Sequence, residues 1–246
     1  MDPKQKMQRL EGLARKAMQT YRMIKPGDAV CVGVSGGKDS VALALALKHL
    51  SAYYEHPYTV CALTLDPQFG GQETDYTALT AFFEAAGIPH HIKRTNIGPL
   101  VFDVRKEPNP CALCAKMRRG ALHTTAKELG CNKVALGHHL DDAVETFYMN
   151  LLGEGHLGCF SPVTWLSRKE VTVIRPLVLA REFEVARAAA ACGAPIVKSR
   201  CPMEGVTFRS RTKIFVAERS KQDPAFVQKT LNAIKKADLD GWGGTQ

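Results

Sequence analysis

The stretch that most constrains the fold is a single junction at residues 30–47. An apolar run rich in β-branched residues, 30–34, ends in a polar turn, 35–40, which opens into an unbroken run of valine, alanine and leucine, 41–47. This order predicts a strand, a tight loop and the start of a helix. Such a junction directs free backbone N–H groups and the positive end of the helix dipole at one point, so it suits an anion.

The turn at 35–40 has the composition of a phosphate-binding loop. Its residues are, in order, Ser35, Gly36, Gly37, Lys38, Asp39 and Ser40. Adjacent glycines let the backbone approach a phosphate closely, the serines add hydroxyl donors, and the lysine adds a cation. The Walker A pattern is excluded because aspartate follows the lysine, and the spacing also excludes the GxGxxG fingerprint. The loop resembles the PP-loop of the ATP pyrophosphatases, which implies that it binds the phosphates of ATP, with cleavage between the α and β phosphates.

The rest of the chain alternates short apolar runs with helical patterns. The predicted strands are the one before the loop and those at 58–65, 88–94, 133–137, 171–175 and 194–197. One predicted helix runs from the 35–40 loop to residue 54, and the others lie at 3–24, 74–86, 112–130, 141–152, 181–191, 207–219 and 224–237. We expect a loop at 96–110 and irregular structure at 153–170. This alternation predicts an α/β fold with a doubly wound parallel sheet of about five strands. We expect an N-terminal amphipathic helix, 1–26, a nucleotide-binding domain, 27–200, and a helical C-terminal extension, 201–246.

Ligands of such sheets bind beyond the carboxyl ends of the strands. Besides the loop, Asp66, Gly137 and His138 fall at strand ends, so we expect all three in the ATP site together with Asp142.

Carboxylates near this edge are candidates for holding Mg²⁺. Asp141 and Asp142 stand at a helix start, where they can either cap the helix or bind the metal, and Asp39 is the third candidate. The neighbouring His138 and His139 do not predict a zinc pair, because adjacent side chains diverge at a helix start.

Charge indicates a polyanionic partner. The formal net charge is +9 over 246 residues, which favours nucleic acid over a membrane surface. The candidate RNA contacts are Lys116, Arg118, Arg119, Arg209, Arg211 and Lys213. No apolar run reaches the roughly 18–20 residues that span a bilayer, and no signal core follows the N-terminus, so we expect a cytoplasmic protein.

The eight cysteines divide into two groups. Five stand in apolar surroundings and are expected to be small buried side chains: Cys31, Cys61, Cys131, Cys159 and Cys192. Cys111 and Cys114 form a CxxC pair, and Cys201 lies in a second polar, basic segment. Nearby cations and the helix start are expected to lower the pKa values of the CxxC thiols. The pair alone is compatible with half of a zinc site, a redox dithiol or an iron–sulfur ligand set, while three thiolates fit a [4Fe–4S] cluster with one open iron.

Five features together resemble the tRNA 2-thiocytidine synthetase (TtcA) family. They are the PP-loop, the CxxC followed by Lys-Met-Arg-Arg-Gly, the box Gly-His-His-x-Asp-Asp-x-x-Glu-Thr, Val-Ile-Arg-Pro-Leu, and a later lone Cys-Pro. The resemblance covers residues 10–220 and implies a HUP-type α/β domain. It implies an enzyme that adenylates the C2 oxygen of an anticodon-loop cytidine in tRNA and replaces it with sulfur. The carried-over roles are ATP binding by 35–40, with Lys38 and Asp39 catalytic, and cluster binding by Cys111, Cys114 and Cys201.

The resemblance also implies partners, and alternatives stay open. The sulfur would come from sulfide or from a cysteine desulfurase persulfide, and a homodimer is compatible with the family. Well-known members carry a second CxxC where this chain has Cys201 alone, which leaves open whether cytidine or uridine is modified. The alternatives are a 2-thiouridine enzyme, an amidating PP-loop ligase of the lysidine type, and a non-catalytic iron–sulfur RNA-binding protein.

Overall fold

A six-stranded, mostly parallel sheet forms the centre of the protein. The computed structural model describes residues 2–106, 108–203 and 208–244. The strands are β1 (Asp28–Val34), β2 (Tyr58–Asp66), β3 (His90–Arg94), β4 (Lys133–Ala135), β5 (Val163–Leu166) and β6 (Val171–Ile174). Their order in the sheet is β3-β2-β1-β4-β6-β5, and all neighbours are parallel except β5 and β6.

Helices cover both faces of the sheet. They are α1 (Pro3–Thr20), α2 (Lys38–Ser51), α3 (Thr77–Ala85), α4 (Ile97–Pro99), α5 (Pro110–Glu128), α6 (Leu140–Met149), α7 (Glu182–Ala191), α8 (Phe208–Gln222) and α9 (Phe226–Lys236). Every residue of α2 from Ser40 to Leu47 is buried, because α2 packs on β1 and β2 while α1 and α7 pack on α2. None of the described helices is long and apolar enough to cross a membrane.

The topology places a binding crevice between β1 and β4. From β1 the chain proceeds outward through β2 to β3 and then returns to the other side of β1 to form β4. The loops after β1 and β4 therefore diverge at a topological switch point, which is where open α/β sheets bind their ligands. Both predicted nucleotide motifs follow these two strands.

The predicted doubly wound α/β fold is confirmed, with local differences. The sheet has six strands rather than about five, because the segment 163–166, expected to be irregular, forms the antiparallel edge strand β5. The predicted strand at 194–197 is wrong: this segment joins no strand and instead lies against the 35–40 loop. Part of the expected loop at 96–110 is helical, in α4 and the π-helical turn Leu100–Arg105. Thr207, the predicted start of α8, lies outside the described residues, and the three-part domain division stays a prediction.

Candidate functional site

The 35–40 loop is held in shape by its own serines. Ser40 Oγ donates to the Gly37 carbonyl oxygen at 3.0 Å, and Ser35 N donates to Ser40 Oγ at 3.2 Å. The two hydroxyl oxygens lie 3.4 Å apart. In this conformation the hydroxyls shape the loop, and the N–H groups of Ser35 and Gly37 donate to them within it.

Gly36 has a backbone that only glycine adopts without strain. Its φ is +84°, and a Cβ at this position would stand 2.8 Å from Val197 Cβ. Val197 N donates to the Gly36 carbonyl oxygen at 3.0 Å. The segment 194–197 thus crosses the loop and holds it, a contact between positions 161 residues apart that no local sequence pattern predicts.

The start of α2 is open to an anion. Within the described part of the chain, no side chain caps this helix, whose N-cap is Gly37. Gly137, in the turn after β4, packs directly on its first turn, where a Cβ would lie 3.1 Å from Ser40 N. Glycine at position 137 therefore lets the two predicted motifs touch through their backbones. These observations fit a nucleotide whose phosphates lie on the helix N-terminus.

Lys38 belongs to a chain of ion pairs that the sequence does not reveal. Its Nζ lies 2.9 Å from Asp39 Oδ1 and 3.3 Å from Glu182 Oε1, and Lys213 Nζ lies 3.0 Å from the same Glu182 oxygen. Burial alone would lower the pKa of Lys38, but the two carboxylates outweigh it and raise that pKa. Lys38 is therefore a cation positioned at the loop, and Glu182 at the start of α7 is a residue that sequence reasoning missed.

His138 is held neutral by its neighbours. Burial, with help from the Arg175 charge, lowers its pKa to about 4. Arg175 Nε donates to His138 Nδ1 at 3.3 Å, which leaves the proton of the neutral ring on Nε2. Phe160 packs on both side chains, 5.1 Å from the His138 ring and 5.1 Å from the Arg175 guanidinium.

Asp141 and Asp142 form hydrogen bonds that stabilise the start of α6. Asp141 accepts from Arg181 Nε at 3.0 Å and from Glu182 N at 2.6 Å, so it joins α6 to α7. Asp142 and His139 form a reciprocal capping box, with His139 N donating to Asp142 Oδ2 at 2.9 Å. Of the two predicted capping residues, Asp142 therefore caps the helix. The role of Asp141, Asp142 and Asp39 as Mg²⁺ ligands stays a prediction.

Asp66 organises the loop after β2. Its side chain is fully buried and accepts from Gln68 N at 3.0 Å and from Thr74 N at 2.9 Å. This carboxylate is therefore already occupied by loop amides, and its contact with ATP stays a prediction.

Glu145 is a buried acid in the second motif to which the sequence assigned no role. Its exposed fraction is 4%, and burial together with the Asp142 charge raises its pKa to about 7, against the opposing charges of Lys213 and Arg209. The carboxyl therefore changes protonation near neutral pH, one helical turn from the Asp142 cap.

The predicted cluster cysteines interact electrostatically but are not arranged as a ready metal site in the described part of the chain. Cys111 and Cys114 occupy the first turn of α5, whose start lies at the same sheet edge as the 35–40 loop. Burial raises the pKa of Cys114, Arg118 opposes this, and the nearby Cys201 and Cys111 raise it further. The expected lowering of this thiol pKa is therefore wrong for Cys114, because burial outweighs the cation. Cys201 contributes to the shift, so its charge is felt at Cys114.

The Cys201 segment is fixed at this edge by its neighbours. Arg200 Nη1 donates to Gln72 Oε1 at 3.0 Å in the loop after β2, and Val197 holds the 35–40 loop. Among the described residues, no group of three His, Cys, Asp or Glu side chains is already arranged as a metal site. The donor set of three free thiols nevertheless fits a cluster by its chemistry, since thiolate is the protein ligand of such clusters.

The remaining cysteines are separate from this region. Cys31 and Cys131 are buried as expected, while Cys61, Cys159 and Cys192 are partly exposed. Cys61 Sγ lies 3.6 Å from Cys131 Sγ on the α5 side of the sheet.

The six predicted RNA contacts do not form one patch. Lys116 and Arg119 share one face of α5, whereas Arg118 lies on the opposite face with the cysteines. On α8, Lys213 is paired with Glu182, Arg209 donates to Thr146 Oγ1 at 3.3 Å, and Arg211 is exposed.

Comparison with known proteins agrees with this geometry. A family model described as a PP-loop domain matches residues 8–193. A tRNA-cytidine(32) 2-sulfurtransferase of Geobacter sulfurreducens is 35% identical over 92% of this chain and 88% of its own. One of Syntrophotalea carbinolica is 36% identical over the same shares. The chain belongs to the tRNA-cytidine 2-sulfurtransferase family of PP-loop proteins.

Solved structures with the same fold include a tRNA thiolase. The U34-tRNA thiolase NcsA from Methanococcus maripaludis, with its [4Fe-4S] cluster, matches with a TM-score of 0.74 at 26% identity, over 92% of this chain and 77% of the other. An NAD⁺ synthetase from Burkholderia pseudomallei shares the fold, with a TM-score of 0.50 at 17% identity over 94% and 87% of the two chains. The predicted family is thereby confirmed.

Proposed function

We propose that this chain is an ATP-dependent tRNA sulfurtransferase that converts a cytidine of the anticodon loop into 2-thiocytidine. The position is cytidine 32, as in the names of its relatives. The observation that carries the proposal is the convergence at one sheet edge. The open start of α2, the turn after β4 and the cysteines at the start of α5 all lie there. An activating nucleotide and a sulfur-handling group can therefore act on one base.

The chain's own residues account for the activation step. Backbone N–H groups of the 35–40 loop bind the ATP phosphates, and Lys38 balances the charge that develops as pyrophosphate leaves. A bound triphosphate competes with Asp39 and Glu182 for the Lys38 ammonium, which frees Asp39 to serve as a Mg²⁺ ligand. The C2 oxygen of the base attacks the α-phosphorus, so one O–P bond forms and the bond to pyrophosphate breaks.

Sulfur then replaces the activated oxygen. Sulfide attacks C2, so a C–S bond forms, the C–O bond breaks, and AMP departs with the original oxygen. With a persulfide donor the adduct keeps an S–S bond to the carrier, and a second thiol must cleave that bond and leave as a disulfide with the carrier. Cys111, Cys114 and Cys201 would hold a [4Fe–4S] cluster, which supplies an iron without a protein ligand where sulfide or substrate can bind. Asp66, Gly137, His138 and Asp142 would complete the ATP site.

The test is mass spectrometry of tRNA nucleosides from a strain that lacks the gene. We expect 2-thiocytidine alone to disappear, to return with the wild-type chain, and not to return with Lys38→Ala. Loss of 2-thiouridine instead would assign the uridine activity, and no loss of a thionucleoside would favour an amidating ligase or a non-catalytic RNA-binding protein.

Three further elements belong to this proposal. The sulfur donor is sulfide or a desulfurase-bound persulfide, the enzyme acts in the cytoplasm, and two copies form a homodimer. Sedimentation of the purified chain at increasing concentration tests the dimer directly.

A further inference from the structure

The side chain of Lys213, on α8, extends to the edge of the 35–40 loop. Its Nζ lies 3.0 Å from each of the two carboxylate oxygens of Glu182, at the start of α7. Glu182 Oε1 also lies 3.3 Å from Lys38 Nζ. One carboxylate oxygen therefore contacts two ammonium groups, one from the loop and one from α8.

The face of α8 that carries Lys213 lies over the acidic groups beside the loop. Arg209, which is one helical turn earlier, donates to Thr146 Oγ1 of α6 at 3.3 Å. Residues four apart in sequence lie on the same face of a helix, so Arg209 and Lys213 share this face. The charges of both cations also oppose the rise in the pKa of the buried Glu145. Two elements thus bring cations to this edge of the sheet, the loop and α8.

The groups around Lys38 would repel a triphosphate if Lys213 were absent. Lys38 Nζ lies 2.9 Å from Asp39 Oδ1 as well as 3.3 Å from Glu182, so one cation is joined to two carboxylates and the three groups carry a net charge of −1. A site of negative charge disfavours the phosphates of ATP. A metal ion can take over Asp39, but Glu182 then still needs a cation. Lys213 is that cation.

These ion pairs are open enough to be exchanged for contacts with a ligand. The exposed fractions of the side chains are 31% for Lys38, 32% for Glu182 and 52% for Lys213. Ion pairs that are open to solvent contribute little to stability, so little is lost when another acceptor replaces the carboxylate. Phosphate oxygens are strong acceptors for an ammonium group. Both lysines can therefore pass from Glu182 to a bound triphosphate.

We propose that Lys213 is a second phosphate-binding cation of the ATP site, and that it moves from Glu182 to the phosphates that leave as pyrophosphate. Lys38 acts on those phosphates in the proposed activation step, and Lys213 lies beside Lys38 on the same carboxylate oxygen. The inference rests on the proposed function for the identity of the nucleotide. It assigns to ATP a lysine that the sequence favours as an RNA contact.

The test is calorimetric titration of ATP with Mg²⁺ into the purified full chain. Lys213→Gln should weaken binding by roughly tenfold or more, the loss expected for one charge-assisted hydrogen bond. Lys213→Arg keeps the charge and should lose less. Lys221→Gln is the matched control, because it removes one charge from the last turn of the same helix, about 12 Å further along. We expect it to change the affinity by less than about twofold, since that separation exceeds the Debye length at physiological salt.

A background without the acid separates phosphate contact from charge neutralisation. In Glu182→Gln there is no carboxylate at position 182 for Lys213 to neutralise. Adding Lys213→Gln to this variant should still weaken ATP binding by roughly tenfold. If the loss disappears in this background, Lys213 acts only by offsetting Glu182, and the phosphate contact is refuted.

Affinity for an unmodified tRNA transcript, measured without ATP, distinguishes the two ligands. We expect the wild type and Lys213→Gln to bind it equally, within about twofold. Weaker tRNA binding with unchanged ATP binding would assign Lys213 to RNA and overturn the inference, leaving the proposed function standing. A wild-type chain that binds no ATP would overturn both. ATP binding that depends on Lys213, in a chain that forms no thionucleoside, would overturn the proposed function alone.

Discussion

Two adjacent glycines of the 35–40 loop should respond in opposite ways to the same substitution. Gly36→Ala forces a left-handed backbone on alanine, which costs about 1–2 kcal/mol. Its methyl carbon would also stand 2.8 Å from Val197 Cβ, well inside the 3.4 Å at which ordinary contact begins. The shift of Val197 raises the total to about 2–3 kcal/mol, or about 4–12 °C in melting temperature for a chain of this size.

Gly37→Ala meets neither problem. Gly37 has a φ of −82°, and its Cβ would find only Ser35 Oγ at 3.5 Å. At an N-cap, alanine is worse than glycine by under about 1 kcal/mol. The added methyl group instead obstructs the close approach of a phosphate to the loop, so we expect at least about tenfold weaker ATP binding.

The assay is urea unfolding without nucleotide, paired with calorimetric titration of ATP. Gly36→Ala should lower the free energy of unfolding, while Gly37→Ala should keep stability near the wild type and lose affinity. A Gly36→Ala chain as stable as the wild type would refute the role given to Val197. A Gly37→Ala chain with wild-type affinity would refute phosphate binding at this loop.

Two further predictions concern protonation and iron. Because the folded pKa of Glu145 is about 7 and its unfolded value is 4.5, this carboxyl lowers stability as pH rises from 4.5 through 7. The stability of Glu145→Gln relative to the wild type should therefore increase from pH 5 to pH 8, by up to about 3 kcal/mol. Urea unfolding of both chains at pH 5 and pH 8 measures this, and an equal difference in unfolding free energy at the two pH values would contradict it. Purified without oxygen, the wild-type chain should carry about four irons. Cys111→Ala and Cys201→Ala should lose this iron, and the control Cys192→Ala should keep it. A colourless wild-type protein with bound zinc would contradict the ligand assignment.

The sequence predicted the elements whose signals are local. The apolar run of β1 and the uninterrupted helix formers of α2 define their own structures, and the glycines between them define the turn. Both nucleotide motifs could be placed at one sheet edge because parallel strands of a doubly wound sheet end together. Short edge elements were harder: β5 has four residues and one neighbour, and it lacks the pattern of a buried strand.

Long-range contacts could not be predicted from the sequence. The apolar residues at 194–197 have the sequence pattern of a short strand. In the structure Val197 donates one hydrogen bond to Gly36, and the segment joins no strand among the described residues. Glu182 reaches Lys38 from 144 residues away, and its pairing follows from how α7 packs on α2. The same limit applies to Cys114, whose pKa depends on burial as well as on the cation beside it.

The most direct test of a shared reaction centre is a reconstituted reaction that counts two products. The purified chain receives unmodified tRNA, ATP, Mg²⁺ and sulfide, and the assay measures pyrophosphate and 2-thiocytidine separately. We expect the wild type to form both, Lys38→Ala to form neither, and Cys201→Ala to release pyrophosphate without forming the thionucleoside. Formation of 2-thiocytidine by Cys201→Ala at the wild-type rate would contradict the account.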